Sequence, residues 1–304
     1  MAAGSLGVAQ SWQVAGGWGN YHALQVDFRQ RAWHGMQFDV NYTWSHTLGL
    51  QPENNQGTAA AWLGSVNEFT VRNLRLNYGP TTYDLRHVVH ASGTYDLPFG
   101  RGKAFLNSSN LVDKFVGGWT LGTIFLWQTG APFQLFGGYG TFNDYGDGGL
   151  VLNGITRGQL QNNVGVYHIP GANYVSLINP KLLQGNSAPN CSSILTGVCQ
   201  NTTPGTLGTN PWLYGPHVWN VDMSLGKTLP ITERVRFTFQ AEALNVFNHP
   251  NFTLPGGAPL YFGSANVQSS AFGQAGTLNL FGNVNNTNPN FSARVLELRA
   301  NISF

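Results

Sequence analysis

Residues 36–46 read Met-Gln-Phe-Asp-Val-Asn-Tyr-Thr-Trp-Ser-His, and this stretch decides the fold class. Met36, Phe38, Val40, Tyr42 and Trp44 fall at alternate positions, with Gln37, Asp39, Asn41, Thr43 and Ser45 between them. Successive side chains of a strand point to opposite faces, so a sustained period of two reads as a strand with one apolar face. Residues 21–30 alternate in the same way, Leu24, Val26 and Phe28 against Gln25, Asp27 and Arg29. Residues 31–35 between them are short and include Gly35, so the two segments read as a hairpin.

The pattern recurs outward from this hairpin in segments 84–97, 117–130, 217–228, 234–247 and 292–304. Stretches 47–83, 131–216 and 248–291 break it; they are rich in Gly, Asn, Thr and Pro and read as long loops. A short helix is expected within Ala59–Asn77. Connections in chain order therefore run short, long, short, long, short, long. A membrane barrel alternates short periplasmic turns with long extracellular loops, whereas a sandwich has no reason to put every long loop at one end. Aromatic residues Trp44, Trp119, Trp127, Trp219 and Phe304 fall near strand ends, where a membrane interface favours amphipathic rings.

The expected fold is all-β: an antiparallel transmembrane β-barrel portion of about seven long strands, open and incomplete because bacterial barrels close with even numbers. Its two edges would each leave a row of unpaired backbone groups, so the chain alone is not expected to form a stable pore. A secreted or surface β-sandwich with an adhesive or structural role shows the same alternation and stands as the alternative.

Composition agrees with a wall between two environments. The 304 residues include 15 Lys+Arg and 13 Asp+Glu, so 9% are charged, against about 25% in ordinary soluble domains. The hydrophobic fraction is nevertheless 42%, with 39 Gly and 13% aromatics. A net charge of +2 gives no electrostatic case for nucleic acid. No run is long and apolar enough for a transmembrane helix. Met1-Ala2-Ala3-Gly4-Ser5 has neither the basic nor the apolar region of a signal peptide.

Several motifs resemble the late barrel strands of Oar-like TonB-dependent outer-membrane receptors. They are Tyr21-His22-Ala23-Leu24-Gln25-Val26, Gly35-Met36-Gln37-Phe38, Tyr42-Thr43-Trp44-Ser45-His46, Tyr83-Asp84-Leu85-Arg86-His87, Tyr95-Asp96-Leu97-Pro98-Phe99-Gly100-Arg101-Gly102, Gly117-Gly118-Trp119 and Gln128-Thr129-Gly130-Ala131-Pro132-Phe133. The most specific runs from Thr232-Glu233-Arg234-Val235-Arg236-Phe237 to Ala241-Glu242-Ala243-Leu244-Asn245-Val246-Phe247-Asn248-His249-Pro250-Asn251-Phe252. The resemblance covers residues 20 to 304. It implies a plugged barrel of about 22 strands in a Gram-negative outer membrane, of which 21–304 would supply the C-terminal barrel segment and 1–20 the remnant of an extracellular loop. Loops 47–83, 131–216 and 248–291 would then lie outside. Implied partners are outer-membrane lipid, the outer-membrane assembly machinery, an N-terminal plug and further strands absent from this chain, and TonB only through that plug. Phe304 resembles the terminal aromatic of the assembly signal.

Candidate sites are few. Cys191 and Cys199 sit in the longest loop and are expected to form a disulfide, because an extracellular loop is oxidising territory. A zinc site is not expected, since His168 and His217 are remote in sequence. His87 and His90 fall on opposite strand faces, which precludes a shared metal. Residues 142–148 are oxygen-rich but lack the EF-hand spacing. Arg236 with Glu242, and Glu297 with Arg299, fall on the polar face and are expected to pair across strands. No nucleophile elbow, P-loop or zinc-protease motif occurs, so neither catalysis nor a cofactor is expected.

Overall fold

The computed structural model describes residues 18–50, 73–81, 83–100, 102–106, 115–137, 148–172, 174–185, 191, 193–209, 211–232, 234–252, 254, 267–270, 272–275 and 293–304. Seven long strands form one antiparallel sheet: β1 (Gly19–Trp33), β2 (Met36–Leu50), β4 (His87–Asp96), β5 (Trp119–Gln128), β12 (Val218–Pro230), β13 (Arg236–Leu244) and β15 (Val295–Ser303). Each pairs with the next in that order, and the short β3 (Tyr78–Pro80) extends the sheet beside the end of β2. The sheet is open, with β1 and β15 at its edges.

Turn chemistry fixes where the strands reverse. His34 and Gly35 both have positive φ, 49° and 80°, as a two-residue hairpin turn twisted to match its strands requires. The third short connection closes when the Ile231 and Thr232 amides donate to the Val235 carbonyl. Both hairpins are longer than the sequence suggests, since β1 runs through Trp33 and β12 through Pro230.

Register sorts the side chains into an apolar and a polar face, with His87 on the first and Ile124 on the second as exceptions. Leu24, Trp44 and His87 lie in line, as do Ala91, Phe125 and Val221, and Leu225, Ala241 and Leu298. The other face carries Asp27, Asn41 and His90 in line, then Ser92, Ile124 and Asp222. No second long-stranded sheet covers the apolar face among the described residues; Leu24, Phe28 and Leu298 are all exposed, Leu298 by 73%. A sandwich would bury that face between two sheets about 10 Å apart, so the sandwich alternative is corrected. Hydrocarbon is the environment that satisfies apolar side chains left exposed on this face along β1, β2 and β15.

Rings bracket this face. Trp119 and Trp127 share it at opposite ends of β5, about 26 Å apart at ~3.3 Å per residue, or about 20 Å across a membrane at barrel tilt. Lys227 is a cation on the apolar face, at its turn end. Its ammonium donates to the Phe115 carbonyl at 2.8 Å and lies 5.2 Å from the Trp119 ring centre. The stem thus crosses apolar surface while the charge finds partners.

The buried core lies elsewhere. Residues 131–216, expected as an irregular loop, instead fold. They hold β6 (Pro132–Gln134), β7 (Leu150–Leu152), β8 (Val164–His168), β9 (Val175–Ile178), β10 (Val198–Gln200) and β11 (Trp212–Tyr214). A short helix, Arg157–Gln161, is opened by a capping box between Thr156 and Gln159. β14 (Gln274–Ala275), from the third long connection, pairs with β9. Leu135, Leu150, Leu195, Val198, Leu213 and Val267 are fully buried in one cluster. The three- and four-residue strands are too short to show alternation, which is why the sequence reads as loop. The first long connection also begins later than expected, because β2 continues to Leu50. Leu74–Asn77 is a 3-10 helix, and the rest of the expected helix lies outside the described residues, as do residues 1–17.

Phe125→Arg, near the middle of the apolar face, is expected to cost about 2–4 kcal/mol. The adjacent Ile124→Arg, on the polar face, is expected to stay within about 0.5 kcal/mol. Urea unfolding from lipid bilayers measures both.

Candidate functional site

The polar face forms a concavity of about 560 Å³ lined by Arg29, Asp39, Ser92, Asp222, Ser224 and Glu242 among others. Arg29 sits directly opposite Asp39 across the first hairpin and bonds it at 2.7 Å, while its other nitrogen reaches Asp27 at 3.1 Å. This cross-strand pair is absent from the sequence reading. A bulge between Gln30 and Trp33 shifts the register by one residue. Counting outward from the turn without it would set Arg29 against Val40, on the wrong face.

The expected cross-strand pairs are corrected. β13 and β15 set Glu242 against Glu297 and Arg299 against Gln240. Arg299 instead reaches Glu297 at 3.0 Å along its own strand, and Gln240 donates to Glu242 at 2.6 Å along β13. Residues two apart on a strand share a face, so both contacts are available without crossing the ladder. Arg236 lies opposite Pro230 and Ser303 at the turn end and forms no ion pair among the described residues. Phe304 follows β15 and is almost wholly exposed.

At the opposite end of the sheet a buried carboxylate gathers four groups. Asp84 Oδ1 accepts from the Thr47 amide at 2.8 Å and contacts His46 Nδ1 at 3.0 Å. Asp84 Oδ2 accepts from the Tyr214 hydroxyl at 2.7 Å and faces Arg86 Nε at 3.3 Å. Burial raises the Asp84 carboxyl, but the Thr47, His46 and Tyr214 hydrogen bonds and the Arg86 charge outweigh it, so it ends below its ordinary value. Burial raises the Tyr214 phenol. Asp84 and Tyr214 are 130 residues apart, so this cluster fastens the second folded connection, here termed the cap, to the β2–β4 rim. The neighbouring Gly130 lies so close to the Gly215 carbonyl that a Cβ there would collide with it.

A second corner is built from the motif after β13. Asn245 receives the His249 amide at 2.9 Å and donates to its carbonyl at 2.9 Å, while its own amide donates to Asp222. Asn245 and Asn248 hold positive φ, 49° and 52°. Asn251 exchanges hydrogen bonds with the Trp219 backbone, extending the ladder with a side chain. His249 stacks on Trp219 with ring centres 4.1 Å apart. Burial, and then His217, lower its pKa.

Cys191 and Cys199 are joined as a disulfide with Cα atoms 4.8 Å apart. His87 contacts the Tyr42 hydroxyl at 2.8 Å on the apolar face, whereas His90 lies on the polar face. No group of three metal-ligating side chains occurs among the described residues, and residues 142–147 lie outside them.

The wall, its exposed apolar face and its alternation of short and long connections agree with one comparison: the sequence matches the outer membrane beta barrel domain over residues 6–294. The chain belongs to the outer membrane beta barrel domain family. It is therefore an outer-membrane protein of a Gram-negative bacterium. Neither the curated proteins nor the solved structures contain a match to the chain.

Because the folded Asp84 value is depressed, its stabilisation is complete above the unfolded value of about 4 and is lost as pH falls through the folded value. Asp84→Asn is expected to remove about 1–3 kcal/mol of cap docking and to flatten this acid dependence. Hydrogen exchange around Tyr214 between pH 3 and 7 reads both. Replacing Cys191 and Cys199 with Ser is expected to cost the cap about 2–3 kcal/mol by loop-closure entropy, measured as accelerated protease cleavage at neutral pH.

Proposed function

We propose that the chain is the C-terminal barrel segment of an Oar-like, TonB-dependent outer-membrane receptor, supplying wall and ligand-facing outer loops for energy-coupled uptake. The observation that carries this reading is the cap: an outer connection with its own buried core, a disulfide and the Asp84 anchor. A wall that only passed small solutes has no need of a packed outer body on its rim, whereas capture of a ligand before transport does. The motif resemblance points the same way.

In this reading the free edges of β1 and β15 are completed by further strands of the receptor, because an unpaired edge is not tolerated in hydrocarbon. The lumen concavity forms part of the transport path, with the Arg29–Asp39 pair and the Glu242 and Glu297 carboxylates along it. The plug supplies all contact with TonB, and Phe304 is read by the assembly machinery. No catalytic step or cofactor is proposed.

Energy coupling through a plug has a readout that a passive barrel lacks. Both native cysteines are joined as a disulfide, so Ser92→Cys adds one free thiol to the lumen face. Its labelling by a polar maleimide in intact cells is expected to change severalfold when the proton gradient is collapsed or TonB is deleted. A labelling rate that is the same in all three states contradicts energy coupling.

A further inference from the structure

A cavity of about 520 Å³ lies between the outer rim of the sheet and the cap. It is separate from the lumen concavity, and no residue lines both. The rim contributes His46, Tyr78 and Arg86, and the cap contributes Arg157, Trp212 and Tyr214. Its volume falls within the range of small-molecule sites.

The lining has a definite chemistry: two guanidinium groups, one imidazole, three aromatic rings and no carboxylate. Asp84 stands behind Arg86 with both oxygens engaged, by Thr47 and His46 on one side and by Tyr214 and Arg86 on the other. Arg86 is thereby held in place and its charge offset. Arg157 has no such offset. It is exposed, its Nε donates to the Trp212 carbonyl at 2.8 Å, which tethers the guanidinium at the cavity mouth, and it has no acidic partner among the described residues. The indole of Trp212 is held as well, because it lies against the backbone of Gly79, where a Cβ would come within 2.9 Å of the ring nitrogen. The result is a tethered, solvent-facing planar cation with no acidic partner beside packed aromatic surface.

We propose that this cavity binds a small organic anion: a carboxylate carried on a planar ring body. The carboxylate pairs with the free nitrogens of Arg157, whose fork matches its two oxygens. The ring packs among Tyr78, Trp212 and Tyr214, burying apolar area against their faces. A neutral analogue of the same shape would keep the stacking and lose the ion pair. The site rests on the receptor reading only for its role in uptake; binding itself requires the cap and the rim alone.

The test is calorimetric titration of the protein purified from the outer membrane, with 1-naphthoate as probe and 1-naphthamide as its neutral counterpart. Saturable binding of 1-naphthoate, at least about tenfold tighter than the amide, is the expected result. Arg157→Gln is expected to reduce 1-naphthoate to the level of the amide, and Arg157→Lys to restore part of the difference. An intact Cys191–Cys199 disulfide and unchanged outer-membrane levels certify the variants. Absence of saturable binding, equal affinity for acid and amide, or unchanged affinity in correctly assembled Arg157→Gln overturns the proposal. If Arg157→Gln fails to assemble, the acid–amide comparison on the natural protein decides alone. Discrimination between acid and amide, together with a Ser92→Cys thiol indifferent to TonB, would keep the site and remove the receptor. The converse pair of results would keep the receptor and remove the site.

Discussion

A peptide group in hydrocarbon has no water to bond, and this constraint organises the whole chain. Each N–H and C=O must find its partner within the sheet, at a cost of several kcal/mol for each one that does not. The arrangement found is the one with the least topological demand, each long strand antiparallel to the one before it. Reversal is then left to tight connections at one end, such as His34–Gly35 and residues 231–235. Connections at the other end are free to grow, because they project beyond the hydrophobic layer. The cap is where the sequence has used that freedom.

Two solvents produce two different stabilising logics in one polypeptide. In the sheet, Leu24, Phe28 and Leu298 point outward and remain exposed; hydrocarbon replaces the missing core. In the cap, Leu150, Leu195 and Leu213 are fully buried, as in a water-soluble domain. The joint between these regimes is polar. Asp84 ties His46, Thr47 and Arg86 of the wall to Tyr214 of the cap. A buried carboxylate with both oxygens satisfied is directional, so it sets how the cap sits on the rim more than it adds to stability. The scarcity of charge, 9% of residues, follows from the same division. Lumen faces need polarity, but lipid faces admit a cation only where it can find partners, as Lys227 does at the turn end.

The wall was legible in the sequence because its signal is local. Alternation between Met36 and Ser45, or between Arg236 and Ala243, is visible within a window of eight to ten residues, and each of the seven expected segments falls on a long strand. The cap was not legible, because its strands are three to five residues long and their partners are distant. Cys199 pairs in register with Val151, and Tyr214 with Pro132. Ionic detail was intermediate. The sequence assigned Glu242, Glu297 and Arg299 to one face correctly, but partner choice depends on register. The bulge that brings Arg29 opposite Asp39 has no Gly or Pro to announce it between Gln30 and Trp33. Asp84 and Arg86 were visible as part of a motif, but their partner Tyr214 was not, being 130 residues away.

The central claim is that one face of this sheet meets lipid and the other meets water. A scan of single spin labels from Trp119 to Gln128 in lipid bilayers, comparing accessibility to oxygen with accessibility to a polar nickel chelate, tests it most directly. Odd-numbered positions, including Leu121, Phe125 and Trp127, should favour oxygen, and even-numbered positions, including Thr120, Ile124 and Gln128, should favour the chelate. Loss of the period of two along β5, or the same period in the opposite phase, would contradict the account.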